Sequence, residues 1–192
     1  MKTAIFDIET TALDAVGAGF LLCMVAQDAH TGEQKILRLD DFRCQVGKEK
    51  PLVKAVMELL SSYDLLVGHN IIRFDINFIK TRALRLDLPW SLYPLVYDTL
   101  PAFRRCGYLT VQNGFGKPSA GLAMVVDALN GFQEKTAIYP ASWWSSVWGD
   151  SGARKQAMNH IVDHCCADVR MTSDIYPELL HADNRAYIKR LL

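Results

Sequence analysis

Apolar positions fall in short runs over the first half of the chain and at helical spacing over most of the second. Ala4, Ile5, Phe6 and Ile8 make residues 2–9 read as a buried first strand. A second run, FLLCMVAQDA (20–29), passes through the Gly-containing turn HTGEQ into KILRL (35–39), so the chain is expected to open with antiparallel strands. Leu52, Val53, Val56, Leu59 and Leu60 recur with helical periodicity behind Pro51, a residue suited to a first turn. DLLVGHN then predicts a fourth strand ending at Gly68. DINFIKTRALRL predicts a helix with Ile76, Ile79, Ala83 and Leu86 on one side, and YPLVYDTL a fifth strand ending near Asp98. Further on, SAGLAMVVDALNGF is amphipathic, and a long helix is expected from Ser151 to about Leu180, stopping around Pro177. Residues 107–119 and 138–152 read as irregular. The pattern implies an α/β fold, a mixed sheet with helices packed on it. No repeat or linker divides the chain, so residues 1–192 are expected to form a single domain.

Composition narrows the picture little. The 192 residues carry 21 Lys plus Arg against 21 Asp plus Glu, so no overall field favours nucleic acid, and an acidic site balanced by a basic rim remains compatible. The five cysteines are scattered and form no C-x-x-C pair, which argues against a zinc ribbon or a disulfide framework; adjacent Cys165 and Cys166 read as helix packing. The N-terminus does not resemble a signal peptide and no apolar run has transmembrane length, so the expectation is a cytoplasmic protein with no membrane partner.

The first strand nevertheless contains Asp7 and Glu9. Two residues apart, they aim at one side of the strand. Two readings follow: a strand end reaching solvent, or paired acids that need a cation. Asp75 opens the helix after the G-H-N turn, where a carboxylate either caps the helix or joins a site beyond the strand end. Asn70 in that turn is a candidate for orienting such a carboxylate or a substrate phosphate. His164 and Asp168 lie four apart on the long helix, as a buried pair or as part of a site.

As a set, FDIETTALD, GHNIIRFD and HCCADVRMT resemble, in order, the three motifs of the DnaQ-like, or DEDD, 3′–5′ exonuclease superfamily. The resemblance spans nearly the whole chain and implies a ribonuclease H-like fold. It implies that Asp7, Glu9, Asp75 and Asp168 bind two divalent ions; hard carboxylate oxygens suit Mg²⁺ or Mn²⁺. It also implies that Thr10 contacts the terminal nucleotide and that Leu13 wedges between the last bases. The third motif departs from the family: His164 stands at the tyrosine spacing, Y-x3-D, rather than in H-x4-D. It either acts as general base or orients a water as tyrosine would. A free imidazole titrates at about 6.5 and takes a proton at physiological pH, which favours the base.

The activity so implied is metal-dependent 3′–5′ exonuclease action on DNA 3′ ends, single-stranded by preference, releasing nucleoside 5′-monophosphates. The alternatives are RNA as substrate with the same chemistry, a non-catalytic nucleic-acid-binding module, and an endonuclease of the same fold. No protein partner is indicated. Arg73, Lys80, Arg82 and Arg85, with Arg104 and Arg105, read as a solvated face able to lend a few phosphate contacts. Trp143, Trp144 and Trp148 read as aromatic pins, with base stacking as the alternative.

Overall fold

In a computed structural model of the chain, the described residues are 1–42, 47–106, 111–112, 118–119, 121–129, 131, 140–183 and 189–190. Cys44 and much of the stretch 107–119 lie outside them. Strands β1 (Thr3–Thr10), β2 (Leu21–Asp28) and β3 (Gln34–Arg38) form the antiparallel start, and a 3-10 turn (Leu39–Phe42) leads to helix α1 (Lys50–Ser61). Then follow β4 (Leu65–Gly68), α2 (Asp75–Arg85), β5 (Leu95–Asp98) and a short helix α3 (Thr99–Arg105). A two-stranded ladder, β6 (Val111–Gln112) with β7 (Pro118–Ser119), precedes α4 (Leu122–Ala128), α5 (Pro140–Trp148), α6 (Ser151–Ala182) and β8 (Lys189–Arg190).

The main sheet is mixed, in the order β3-β2-β1-β4-β5-β8, and helices flank it. β1 sits inside it, antiparallel to β2 and parallel to β4; β4 runs parallel to β5, and β8 closes the far edge antiparallel. This explains the patterning. β1, β2 and β4 are interior strands with near-continuous apolar burial, whereas edge strand β3 is half exposed. One core joins the sheet to α1, α2 and α6. A smaller one gathers Phe103, Val125, Val126, Met171, Ile175 and Leu179, tying α3 and α4 to the later turns of α6.

Several sequence expectations need correction. Residues 138–152 are not wholly irregular, because α5 occupies Pro140–Trp148, with Trp143 and Val147 buried one turn apart. The long helix does not stop at Pro177 but runs on to Ala182. Proline removes one backbone bond there, and burial of Ile175 and Leu179 on either side of it holds the final turns. Arg82 is not on a solvated face. It is buried and paired with Glu49.

Candidate active site

The acids collect where β1 ends. Strand register against β2 breaks between Glu9 and Thr10, immediately after the second acid. Up to that point Asp7 lies opposite Val25 and Glu9 opposite Cys23, so both side chains leave the same face of the sheet. Helix α6 covers that face, because Cys165 Sγ lies 3.3 Å from the Asp7 carbonyl and 3.4 Å from its Oδ2. The two cysteines that read as packing are indeed buried, and one of them also touches an acid.

Asp75 arrives from the neighbouring strand through the G-H-N turn. Parallel β4 ends at Gly68, where an added Cβ would run into the Ile71 side chain and sit 2.7 Å from the Phe6 carbonyl. Asn70 then adopts a left-handed backbone at φ 65°. Asp98, buried at the end of β5, clamps this turn: it accepts from the backbone N–H groups of Asn70 (2.8 Å), Ile72 (3.1 Å) and Leu100 (3.1 Å). The structure thus gives Asn70 a backbone role in the turn. α2 begins at Asp75, whose Oδ1 accepts from Ile8 N–H at 3.2 Å, locking the second element to the acid strand.

The third element is α6. His164 and Asp168 lie one turn apart, with His164 Nε2 4.0 Å from Asp168 Oδ2 and 3.7 Å from Glu9 Oε1. Trp143 Nε1–H on α5 donates to Glu9 Oε2 at 3.2 Å. This contact, between residues far apart in sequence, carried no sequence signal beyond the tryptophan spacing. Sequence reasoning also left Asp98 without a role.

Like charge is concentrated here. Burial pushes the Asp7 carboxyl well above its usual range, with Asp75, Glu9 and Asp168 adding to the rise and Cys165 opposing it. Burial likewise lifts Glu9 to about 8; the Trp143 bond opposes this, and Asp168 and Asp75 reinforce it. Asp75 rises to about 7, again chiefly through burial, while backbone N–H donors including Ile8 hold it down. Like charges from three elements therefore add to the proton affinity that burial confers on Asp7, Glu9 and Asp75. Their donor set fits a hard divalent cation, which would relieve this repulsion. As they stand, Asp7, Glu9 and Asp75 accept from protein donors, and among the described residues no group of three or more His, Cys, Asp or Glu is placed to hold a metal ion.

Beside the acids lies a groove of about 290 Å³ lined by Glu9, Thr10, Leu13, Phe74, Trp143 and Trp144 among others. Leu13 is no core residue, being 83% exposed at the groove edge. Thr10 Oγ1 donates to the Ala12 carbonyl at 3.0 Å, fixing the loop start. A second hollow of about 220 Å³ shares Leu13 and Phe74 and adds Arg73. The tryptophans divide: Trp143 is 6% exposed, Trp144 36% and Trp148 66%. A larger hollow near Tyr63 and Tyr93 lies at the opposite ends of β4 and β5. Among the described residues, no helix is long and apolar enough to cross a membrane.

A family model described as the RNase H superfamily matches residues 4–180. No curated protein sequence matches the chain. Among solved structures, the chain is similar to the family B DNA polymerase of the hyperthermophilic archaeon Pyrobaculum calidifontis, at 15% identity and a TM-score of 0.68, over 93% of this chain and 24% of that one. It is also similar to Escherichia coli exonuclease I in complex with a 5cy-dA13 oligonucleotide, at 15% identity and a TM-score of 0.60, over 95% and 41% of the two chains. A product-bound exonuclease I matches at 16% identity and a TM-score of 0.61, over 94% and 45%. The chain spans less than half the length of each of these proteins. At such identity the likeness speaks for the fold.

Proposed function

The chain belongs to the RNase H superfamily, and from that premise we propose that it is a single-domain, divalent-metal-dependent 3′–5′ exonuclease that trims single-stranded DNA to nucleoside 5′-monophosphates. The observation that carries the reading is the convergence of Asp7, Glu9, Asp75 and Asp168 beside an apolar groove, where burial and like charge raise the proton affinity of the first three. The solved structures of similar fold support it by analogy, since they include exonuclease I bound to an oligonucleotide.

In this reading the four carboxylates hold two Mg²⁺ or Mn²⁺ ions. When bound, such ions acidify a water and neutralise charge on the departing 3′ oxygen. The groove takes the last base between Leu13 on the β1–β2 loop and Trp144 on α5, with Phe74 and Trp143 completing its wall. Thr10 fixes the loop that carries Leu13, and Arg73 beside the second hollow is placed for a backbone phosphate. His164 is the general base: its Nε2 opens toward Glu9 and Asp168 and receives the proton of the attacking water. The water oxygen bonds to phosphorus, the bond from phosphorus to the 3′ oxygen breaks, and that oxygen takes up a proton.

The test is degradation of a 5′-labelled single-stranded DNA oligonucleotide, its RNA counterpart and a single-stranded circle, with Mg²⁺, Mn²⁺ or EDTA. The expected result is a metal-dependent ladder shortening from the 3′ end, an intact circle and loss of activity in Asp7→Ala. Cutting of the circle would make the protein an endonuclease, and preferential trimming of RNA would change the substrate. Failure on every substrate would leave a binding module. Near-complete loss in His164→Ala supports the base, whereas substantial residual activity assigns it a water-orienting role.

A further inference from the structure

Helix α5 reaches the acids through Trp143. The Trp143 indole N–H donates to Glu9 Oε2 at 3.2 Å. Its ring meets the His164 imidazole edge-on, with centroids 5.9 Å apart and planes at 76°, and meets His160 at 6.1 Å and 89°. At 6% exposure the indole is almost fully buried, yet it also forms part of the groove wall.

From these contacts, and resting on the exonuclease reading above, we infer that Trp143 is a positioning residue, which holds Glu9 and His164 in register with each other. Each acid on this end of the sheet has a donor from another element. Asp75 has the Ile8 N–H, Asp7 the Cys165 thiol, and Glu9 the Trp143 indole. Glu9 most needs such a holder, because its side chain has one more rotatable bond than an aspartate and leaves the strand where the register breaks. An indole only donates, so it fixes one carboxylate oxygen and leaves Oε1 facing His164 at 3.7 Å. The same ring restrains the imidazole by an edge-to-face contact. Acid and base, which come from β1 and α6, are thereby set against one rigid group on α5.

The test is Trp143→Phe, which keeps an aromatic ring and removes the N–H. Calorimetric titration with Mn²⁺ should show affinity weaker by about tenfold, the lower range for removing a group that supports a ligand. On the DNA oligonucleotide, kcat should fall while KM stays within about twofold of wild type, as expected when ground-state binding is untouched. Trp148→Phe, on the exposed side of the same helix, should match wild type in both measurements. A folded Trp143→Phe with unchanged Mn²⁺ affinity, or with a change in KM alone, would overturn the inference and leave Trp143 as packing or groove wall. Should Trp143→Phe not fold, the wild-type indole N–H resonances decide. The one assigned to Trp143 through its contacts with the His164 ring should move in Glu9→Gln while the other indole signals hold still; if it does not move, the inference fails. A wild type that trims DNA and binds Mn²⁺ beside an indistinguishable variant would sink this inference alone. A wild type that binds no Mn²⁺ would remove the exonuclease reading and this inference with it.

Discussion

Two groups of charge withdrawn from solvent lie near the β1–β2 loop and behave in opposite ways. At one, Arg82 and Glu49 are 4% and 1% exposed and compensate each other: Arg82 Nε donates to Glu49 Oε1 at 2.7 Å, and Nη1 donates to the Ala15 carbonyl at 2.9 Å. The guanidinium also lies over the Phe20 ring at 5.3 Å, so it grips the loop from both sides. At the other, the charges that act on half-buried Asp7 are those of Asp75, Glu9 and Asp168, all of its own sign. Burial with compensation builds architecture. Burial among charges of one sign raises proton affinity instead, an arrangement that a cation would relieve.

Asp7→Ala should break the uncompensated group most completely: trimming of labelled DNA falls below detection, while folding measured by circular dichroism is kept. Asp7→Asn should do the same to activity and raise the thermal midpoint in EDTA at alkaline pH, where the acids ionise and repel one another, because an amide carries no charge. A lower midpoint would mean that the charge is not strained. Arg82→Met attacks the compensated pair and should cost about 3–5 kcal/mol in denaturant unfolding, since Glu49 is left buried and alone. Glu49→Leu added to Arg82→Met should recover part of that loss; a double variant no more stable than Arg82→Met would deny the pairing its role.

The same contrast sets a pH dependence. Glu9 and Asp75 have folded-state pKa values of about 8 and about 7, above the ordinary carboxylate range. Their protonated forms are therefore favoured by folding. That contribution is present below the unfolded pKa and is lost as pH rises through the folded values. In EDTA the thermal midpoint should fall as pH rises from about 4.5 toward 8, and saturating Mg²⁺ or Mn²⁺ should flatten the decline. A metal-free profile that is flat over this window would contradict the shifts. The smallest effects belong to the groove. Trp144→Ala should raise KM for a single-stranded oligonucleotide by an amount corresponding to about 1–3 kcal/mol of lost stacking. Leu13→Ala should raise it less, with stability unchanged within about 0.5 kcal/mol because the side chain is exposed.

What was legible in the sequence follows the range of the interactions. β1 to β5, α1 and α2 show in local periodicity, and the acids stand out because each sits in a short pattern: D-x-E, the Asp after G-H-N, and H-x3-D. α5 was hidden because Trp, Ser and Pro blur its periodicity, although Trp143 with Val147 and Trp144 with Trp148 keep a spacing of one turn. Arg82 looked like one more surface cation, since its partner Glu49 precedes a different helix. Trp143 could not be joined to Glu9 by any local pattern, because the bond spans 134 residues. Pro177 misled because a propensity was overridden by packing on both sides of it.

The central claim is that the like-charged end of β1 is a divalent-cation site. Its most direct test is calorimetric titration of the metal-free protein with Mn²⁺ at pH 8, comparing wild type with Asp7→Asn. The account predicts saturable binding by wild type and its loss in Asp7→Asn, with protons released as ions displace them from the acids. Equal binding by the two proteins, or none by wild type, would contradict it.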